Sequence, residues 1–435
     1  MKNRYSPQWY EELARGLYTL LLFLLLPVFW LKFRKWGVNE LDALHGNFFQ
    51  RLGYVPIPGQ KQGYLFHCVS VGEVMAASCV VKRLQKLYPH TPITITTTTE
   101  TGSARVNTIF GDSVHHFYLP VDLPFAMTTM LNRVQPKHVV ITEVELWPNL
   151  IHCCWRKKIP VTVINARMTE RSASRYAKFS ALIEPMMFKL THVCAQGKRD
   201  YEQYIQLGIT ADKLTLTNNI KFDQAMNEAN NDADFLQLQV SGRALIVAGS
   251  THDPEEKTFL TAYAKIIKDS PNTLLAIVPR HPQRFNEVET LLADSGYEYC
   301  LSSEISHIKE GIQIILVNEM GKLNHLYHVA DMAFVGGSLA NKGGHNALEP
   351  AAAAIPIMMG PHRYNNPEIC EFLQAQGALY LVNSADDIVR YCLQWLNEQE
   401  RAKQAGQAGY AVLLQNQGAV EATLACLQNQ VEKHS

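Results

Sequence analysis

Two series of short, β-branched apolar runs alternate with stretches of helical period, and this pattern restricts the chain to parallel α/β architecture. GYLFHCVSV, PITITTTT, VHHFYLP, KHVVITEV, PVTVINA, THVCAQG and KLTLTNN make up the first series. RALIVAGS, TLLAIVPR, IQIILVN, DMAFVGG, AIPIMMG and ALYLV make up the second. The runs are brief and bounded by Gly, Pro or polar residues, as strands are, and the helical stretches between them supply the crossovers that parallel neighbours need. A chain of 435 residues also exceeds what one ordinary core holds. The expected architecture is therefore two doubly wound, Rossmann-like domains. The polar text around Gln224 to Gln239 separates them, giving domains over residues 36–225 and 240–435. The tail from Ala385 onward reads as two helices.

Composition narrows the function. Forty basic and forty acidic side chains cancel, so no field attracts nucleic acid. Nine scattered cysteines, with Cys153 and Cys154 adjacent and no C-x-x-C pair, fit neither a disulfide framework nor a zinc site, and indicate a reducing, cytosolic catalytic body. One segment departs from this soluble character. GLYTLLLFLLLPVFWL, Gly16 to Leu31, carries no charge and precedes Lys32, Arg34 and Lys35. It is shorter than the roughly 20 residues that span a bilayer comfortably, and Pro27 interrupts it. Residues 1–35 are expected to form an uncleaved membrane anchor with the basic cluster on the cytoplasmic side; a buried core helix is the alternative.

In FHCVSVGEVMAA, Glu73 stands where a strand turns into a helix. A carboxylate there stabilises the helix N-terminus, and in an open α/β sheet the same position faces the ligand crevice beyond the strand ends. Val335 to His362 is denser in chemistry. Glycines 336, 337, 343 and 344 are expected to let backbone N–H groups approach a phosphate, a helix opening near Asn346 adds its positive end, and Glu349 can accept two ribose hydroxyls. VPRHPQRF places Arg280 and His281 past a strand, with Arg284 read as solvated, and NEMGKL offers backbone at Met320, Gly321 and Lys322. The order L-E-P-A…P resembles the nucleotide-sugar signature of GT-B glycosyltransferases.

Together, SVGEVMAA, TTTTETG, TEVELWPNL, NARMTERS, NIKFD, AGSTHDPEE, VPRHP, MGKL and NALEPAAAAIPI resemble the 3-deoxy-D-manno-octulosonic acid (Kdo) transferases of lipopolysaccharide synthesis, over nearly the whole chain. The resemblance implies a GT-B fold and an inverting transfer of Kdo from CMP-Kdo to the lipid A precursor (lipid IVA) at the cytoplasmic face of a Gram-negative inner membrane. It makes Glu73 the general base, with Glu143 and Lys221 supporting the transition state. CMP contacts are implied at Pro279, Arg280, Met320, Gly321, Lys322, Asn346, Ala347, Leu348 and Glu349. Two positions depart from the family pattern: Lys322 stands where an acidic residue is expected, and Ala347 where proline is. No cofactor or catalytic metal is expected, because the donor carries one phosphate rather than the diphosphate that often recruits magnesium. Glu143 retains a second reading as the ion-pair partner of a cation such as Lys221. Arg167, Arg171, Arg175 and Lys178 either meet the acceptor's phosphates or form a solvated helix face. Another GT-B activity on UDP-sugars, or a membrane-tethered protein that binds a nucleotide sugar without turning it over, remains the alternative.

Overall fold

A computed structural model describes residues 6–36, 49–228, 242–304 and 311–434. The chain divides into two compact units, Met1–Ile220 with Gly418–Ser435, and Lys221–Gln417. Most of the polar stretch read as a domain junction, residues 229–239, lies outside the described residues.

The first unit holds a seven-stranded sheet of β1 (Tyr64–His67), β2 (Ile93–Thr97), β3 (His115–Tyr118), β4 (His138–Thr142), β5 (Val161–Ala166), β6 (His192–Ala195) and β7 (Leu214–Leu216). Its spatial order is β3-β2-β1-β4-β5-β6-β7 and every pairing is parallel. Side chains alternate between faces with the period of a strand. Leu65, Val139, Ile141 and Val163 enter one apolar core, and Phe66, Val140, Ile164 and Ile95 enter the other. Helices cover both faces, which is why these strands read as continuous apolar runs rather than as alternating ones.

The second unit holds β8 (Ala244–Thr251), β9 (Thr273–Pro279), β10 (Tyr299–Leu301), β11 (Ile314–Leu316), β12 (Met332–Val335), β13 (Ile357–Met359) and β14 (Leu379–Leu381), in the order β10-β11-β9-β8-β12-β13-β14, again all parallel. Every run singled out in the sequence is a strand. β10 escaped because it is a three-residue edge strand, half-buried along its length, with too little apolar text to signal itself.

The tail forms three helices, not two: Ala385–Asn397, Gln399–Gln415 and Ala419–His434. The first break falls at Glu398, where no Gly or Pro marks it. The second follows Gly418, whose φ of +94° suits glycine. The last helix returns to the first unit and packs Ala419, Leu424 and Leu427 into the core that holds Phe66.

The N-terminal helix, Trp9–Trp36, lies against helices Pro148–Arg156 and Ser180–Lys189. Polar groups fix it there. Tyr18 donates to Asp122 Oδ2 at 3.0 Å, Arg15 donates to Asn149 Oδ1 at 3.1 Å, and Asn149 Nδ2 donates to Thr19 Oγ1 at 3.0 Å. Asp122 is fully buried and also accepts the amides of Asn149 and Leu150 at the start of helix Pro148–Arg156, while burial pushes its carboxyl up to about 6. Among the described residues no helix is long and apolar enough to cross a membrane, so the fold gives no support to the expected membrane anchor at residues 1–35. The apolar stretch is short, and Arg15 just before it and Tyr18 within it are bonded to Asn149 and Asp122 of the unit.

Arg284 corrects a second expectation. It is bound to the buried Glu256 (Nη1 to Oε1 2.6 Å, Nη2 to Oε2 3.3 Å) and to Glu287 at 3.0 Å. Replacing Arg284 with Met strands a buried carboxylate and is expected to lower the free energy of unfolding by about 3–5 kcal/mol, read by urea denaturation.

Candidate active site

In the first sheet β1 and β4 are neighbours, and the connections after them leave toward opposite edges. Such a switch point opens a crevice beyond the carboxyl ends of the strands. The turn after β1 ends at Ser70, the first turn of the helix that follows carries Glu73, and the turn after β4 carries Glu143 and Glu145. Glu73 is only 7% exposed. Its Oε2 accepts the Val69 amide at 2.8 Å and its Oε1 accepts the Ser70 hydroxyl at 2.9 Å, so it does secure the start of helix Val71–Leu87. It is not held strongly ionised, however. Burial pushes the carboxyl up to about 7, the charges of Glu143 and Glu145 push the same way, and the two hydrogen bonds only partly oppose them. Burial beside two other carboxylates thus outweighs the helix N-terminus, which by itself would favour the ionised form.

Glu143 adopts a left-handed backbone, φ +60°, while its amide donates to Ile164 O at 2.9 Å on the neighbouring strand. A non-glycine residue in that region is uncommon and strained, and such strain concentrates where a side chain must be aimed. Glu145, two residues on, is pushed up by burial first and by the charge of Glu143 second. Three carboxylates therefore meet at one switch point. In the second unit Lys221 donates to Asn366 Oδ1 at 2.9 Å. Asn165, also left-handed at φ +48°, accepts the Ile220 amide at 3.0 Å where helix Ile220–Glu228 begins.

The expected donor residues follow β9, β11 and β12, which with β8 form four adjacent strands, so their turns rim one edge of the sheet. Arg280 is exposed and its amide donates to Thr251 O at 3.0 Å. Met320 and Gly321 are exposed and Lys322 is half-buried. Asn346 Nδ2 donates to Glu349 Oε1 at 3.1 Å, and Asn346 Oδ1 accepts the Leu348 amide at 3.2 Å. Ala347 and Leu348 are buried in the core, so their side chains are not available to a ligand. The charge of Arg280 helps push His345 down to about 4, after burial, which puts Arg280 beside this turn.

The glycine loop differs from the anion cradle read in the sequence. Glu255, fully buried, already occupies its amides: Oε1 accepts from Ser338, Leu339 and Ala340 at 3.0, 2.9 and 3.2 Å, and Oε2 accepts from Gly337 and His252 at 2.8 and 2.9 Å. An internal carboxylate fills the place assigned to a phosphate. Gly336 is required for a different reason, since a Cβ there would lie 2.2 Å from Ser250 O. The helix that follows is only Leu348–Ala352, too short for the axial field that was expected of it. A phosphate at this rim depends instead on side chains such as Arg280 and the exposed Lys342.

Residues 46–224 match the family described as 3-Deoxy-D-manno-octulosonic-acid transferase (kdotransferase), and residues 245–412 match Glycosyl transferases group 1. A 3-deoxy-D-manno-octulosonic acid transferase of Haemophilus influenzae is 42% identical over 376 residues, covering 86% of this chain and 88% of its own. The chain belongs to the Kdo transferase family. A second Kdo transferase, from Bordetella pertussis, is 31% identical and covers 96% of this chain and 99% of its own. Two solved structures share the fold. A putative UDP-N-acetylglucosamine 2-epimerase from Listeria monocytogenes aligns over 86% of this chain and 98% of its own, with TM-score 0.61 at 13% identity. UDP-GlcNAc 2-epimerase from Neisseria meningitidis aligns over 84% and 100%, with TM-score 0.58 at 15% identity. The two parallel-sheet α/β units thus have the fold of GT-B-like proteins.

Within this Kdo transferase family member, sequence reasoning missed Glu145, Glu255 and the pair His252 and His345, whose Nε2 atoms lie 2.9 Å apart. Glu145 was visible as the second carboxylate of TEVELWP. Glu255 lay inside AGSTHDPEE, but nothing in that text links it to a loop some eighty residues later.

Proposed function

We propose that this chain transfers Kdo from CMP-Kdo to the lipid A precursor lipid IVA, with inversion at the anomeric carbon and release of CMP. The observation that carries the reading is Glu73, a carboxyl at a sheet switch point with its proton affinity tuned to about 7, close to where a general base works best. Glu73 takes the proton of the acceptor hydroxyl as that oxygen bonds to the anomeric carbon. The bond from that carbon to the phosphate oxygen breaks, and its electron pair leaves with CMP. Glu143 and Glu145 set the basicity of Glu73 and offer negative charge to an oxocarbenium-like centre. Lys221 and Arg280 receive the charge that gathers on the departing phosphate, with backbone at Met320, Gly321 and Lys322 and the turn Asn346–Glu349 holding the cytidine. The donor's single phosphate calls for no catalytic metal, so omitting magnesium leaves the rate unchanged. Incubation of purified protein with CMP-Kdo and lipid IVA should yield a lipid heavier by whole Kdo residues, with one CMP per residue added. Release of CMP without a heavier lipid, or inhibition by UDP in place of CMP, defeats the proposal.

The acceptor is membrane lipid, and the N-terminal helix provides a means of reaching it. Leu13, Leu17, Leu20 and Leu24 are exposed along it, an arrangement suited to lying in the cytoplasmic surface of the inner membrane. Exposed Arg171, Arg175 and Lys178, beside Phe179 at 65% exposure, suit the phosphates of the lipid. Charge reversal at Arg171 and Arg175 together is expected to raise the acceptor KM and leave the donor KM unchanged; an unchanged acceptor KM returns these residues to the role of a solvated face.

A further inference from the structure

The face of β6 that meets the last helix carries a group of side chains for which the transfer reaction has no use. His192 and Cys194 are two residues apart on β6 and so share a face of the sheet. Their neighbours Val193 and Ala195 enter the opposite core. Thr215 on β7 is the registered partner of Cys194. Helix Ala419–His434 lays Cys426 onto this group, although 232 positions of sequence separate it from Cys194. One ligand-competent atom from each of His192, Cys194 and Cys426 lies within 4.8 Å of the others. The Cys426 sulfur accepts hydrogen bonds from Cys194, His192 and Thr215. His192 is more than nine-tenths buried. Its Nε2 lies 2.9 Å from Thr215 Oγ1, and its Nδ1 has no hydrogen-bond partner. Both sulfurs are free thiols.

We propose that His192, Cys194 and Cys426 form a binding site for a thiophilic d10 cation, zinc(II), that clasps the returning C-terminal helix to the first unit. Two thiolates and an imidazole are a zinc donor set, and the fourth position falls to a water or to Thr215 Oγ1. Binding displaces the two thiol protons to solvent as the Zn–S bonds form, and no oxidant or reductant takes part. The site has a topological purpose. The final helix rejoins the first unit only after the chain has built the whole of residues 221–417, and a metal bridge between that helix and β6 closes the first unit around the excursion.

The test uses untagged full-length protein, purified under reductant and stripped of metal. Zinc(II) titrated against a chromophoric chelator is expected to bind at one equivalent per chain. Cobalt(II) is expected to give thiolate-to-metal charge-transfer bands. Cys426→Ser and His192→Gln are each expected to weaken zinc binding about tenfold or more. The Cys426→Ser variant lies at a partly exposed helical position, so its metal-free melting temperature should match that of the metal-free parent, and only the parent's should rise on adding zinc. Absence of saturable zinc binding in the parent, equal binding by Cys426→Ser, a cobalt spectrum without thiolate bands, or a Cys194–Cys426 disulfide recovered from protein alkylated at lysis would each overturn the assignment. None of these readouts depends on the transfer reaction.

Discussion

Glu73→Gln is expected to lower kcat by about 10²–10⁴-fold while leaving CMP binding intact. The amide keeps the shape and one acceptor for the Val69 amide, but has no lone pair able to take the hydroxyl proton. In the parent enzyme the pH profile carries a second signature. Only ionised Glu73 acts as a base, so kcat/KM rises with pH and levels off through a midpoint at about 7. The midpoint lies above the ordinary carboxyl range because burial first, and the charges of Glu143 and Glu145 next, oppose ionisation. Glu143→Gln removes one of those charges, and the midpoint should move toward lower pH. The same shift has a thermodynamic sign. A carboxyl whose proton affinity is raised by folding contributes stability that is fully present below about pH 4.5 and lost as pH rises through about 7. Glu73→Gln should therefore gain stability relative to the parent between those limits, even as it loses activity. Normal turnover by this variant, or a profile flat from pH 5 to 9, removes Glu73 from the role of base.

Glu255→Gln is expected to destabilise the second unit by about 2–4 kcal/mol and to weaken CMP binding with it. The carboxylate satisfies five backbone amides, three on Oε1 and two on Oε2. Glutamine offers one acceptor, so its NH2 group faces the two N–H groups left behind, and buried donors without partners are costly. The amides of residues 337–340 then lose their common centre, and the turn leading to Asn346 and Glu349 loosens. Urea unfolding and CMP titration of the same preparation measure both effects. A variant as stable as the parent would mean that the loop has other acceptors and that Glu255 does not organise it.

The carboxylates show how much of the site was legible beforehand. Glu73 and Glu143 were readable because each directly follows a strand-like run, and the end of a strand in a parallel sheet is where chemistry collects. Their electrostatic state was not readable. A Glu in the first turn of a helix looks ionised from the text, and only its 7% exposure and its proximity to two other carboxylates reverse that reading. The glycine loop was misread for a related reason: glycine reports that backbone comes close to something, without saying to what.

The sequence by itself determined the two parallel-sheet units, thirteen of the fourteen strands among the described residues and the family, since apolar periodicity and motif order are local properties written along the chain. Tertiary structure alone decided that Glu255 fills the glycine loop, that Asp122 and Asn149 hold the N-terminal helix to its unit, and that Cys426 returns to Cys194. Each of these joins residues far apart in the chain through burial and hydrogen bonding. Those forces depend on which surfaces meet after folding, and no local pattern encodes that meeting.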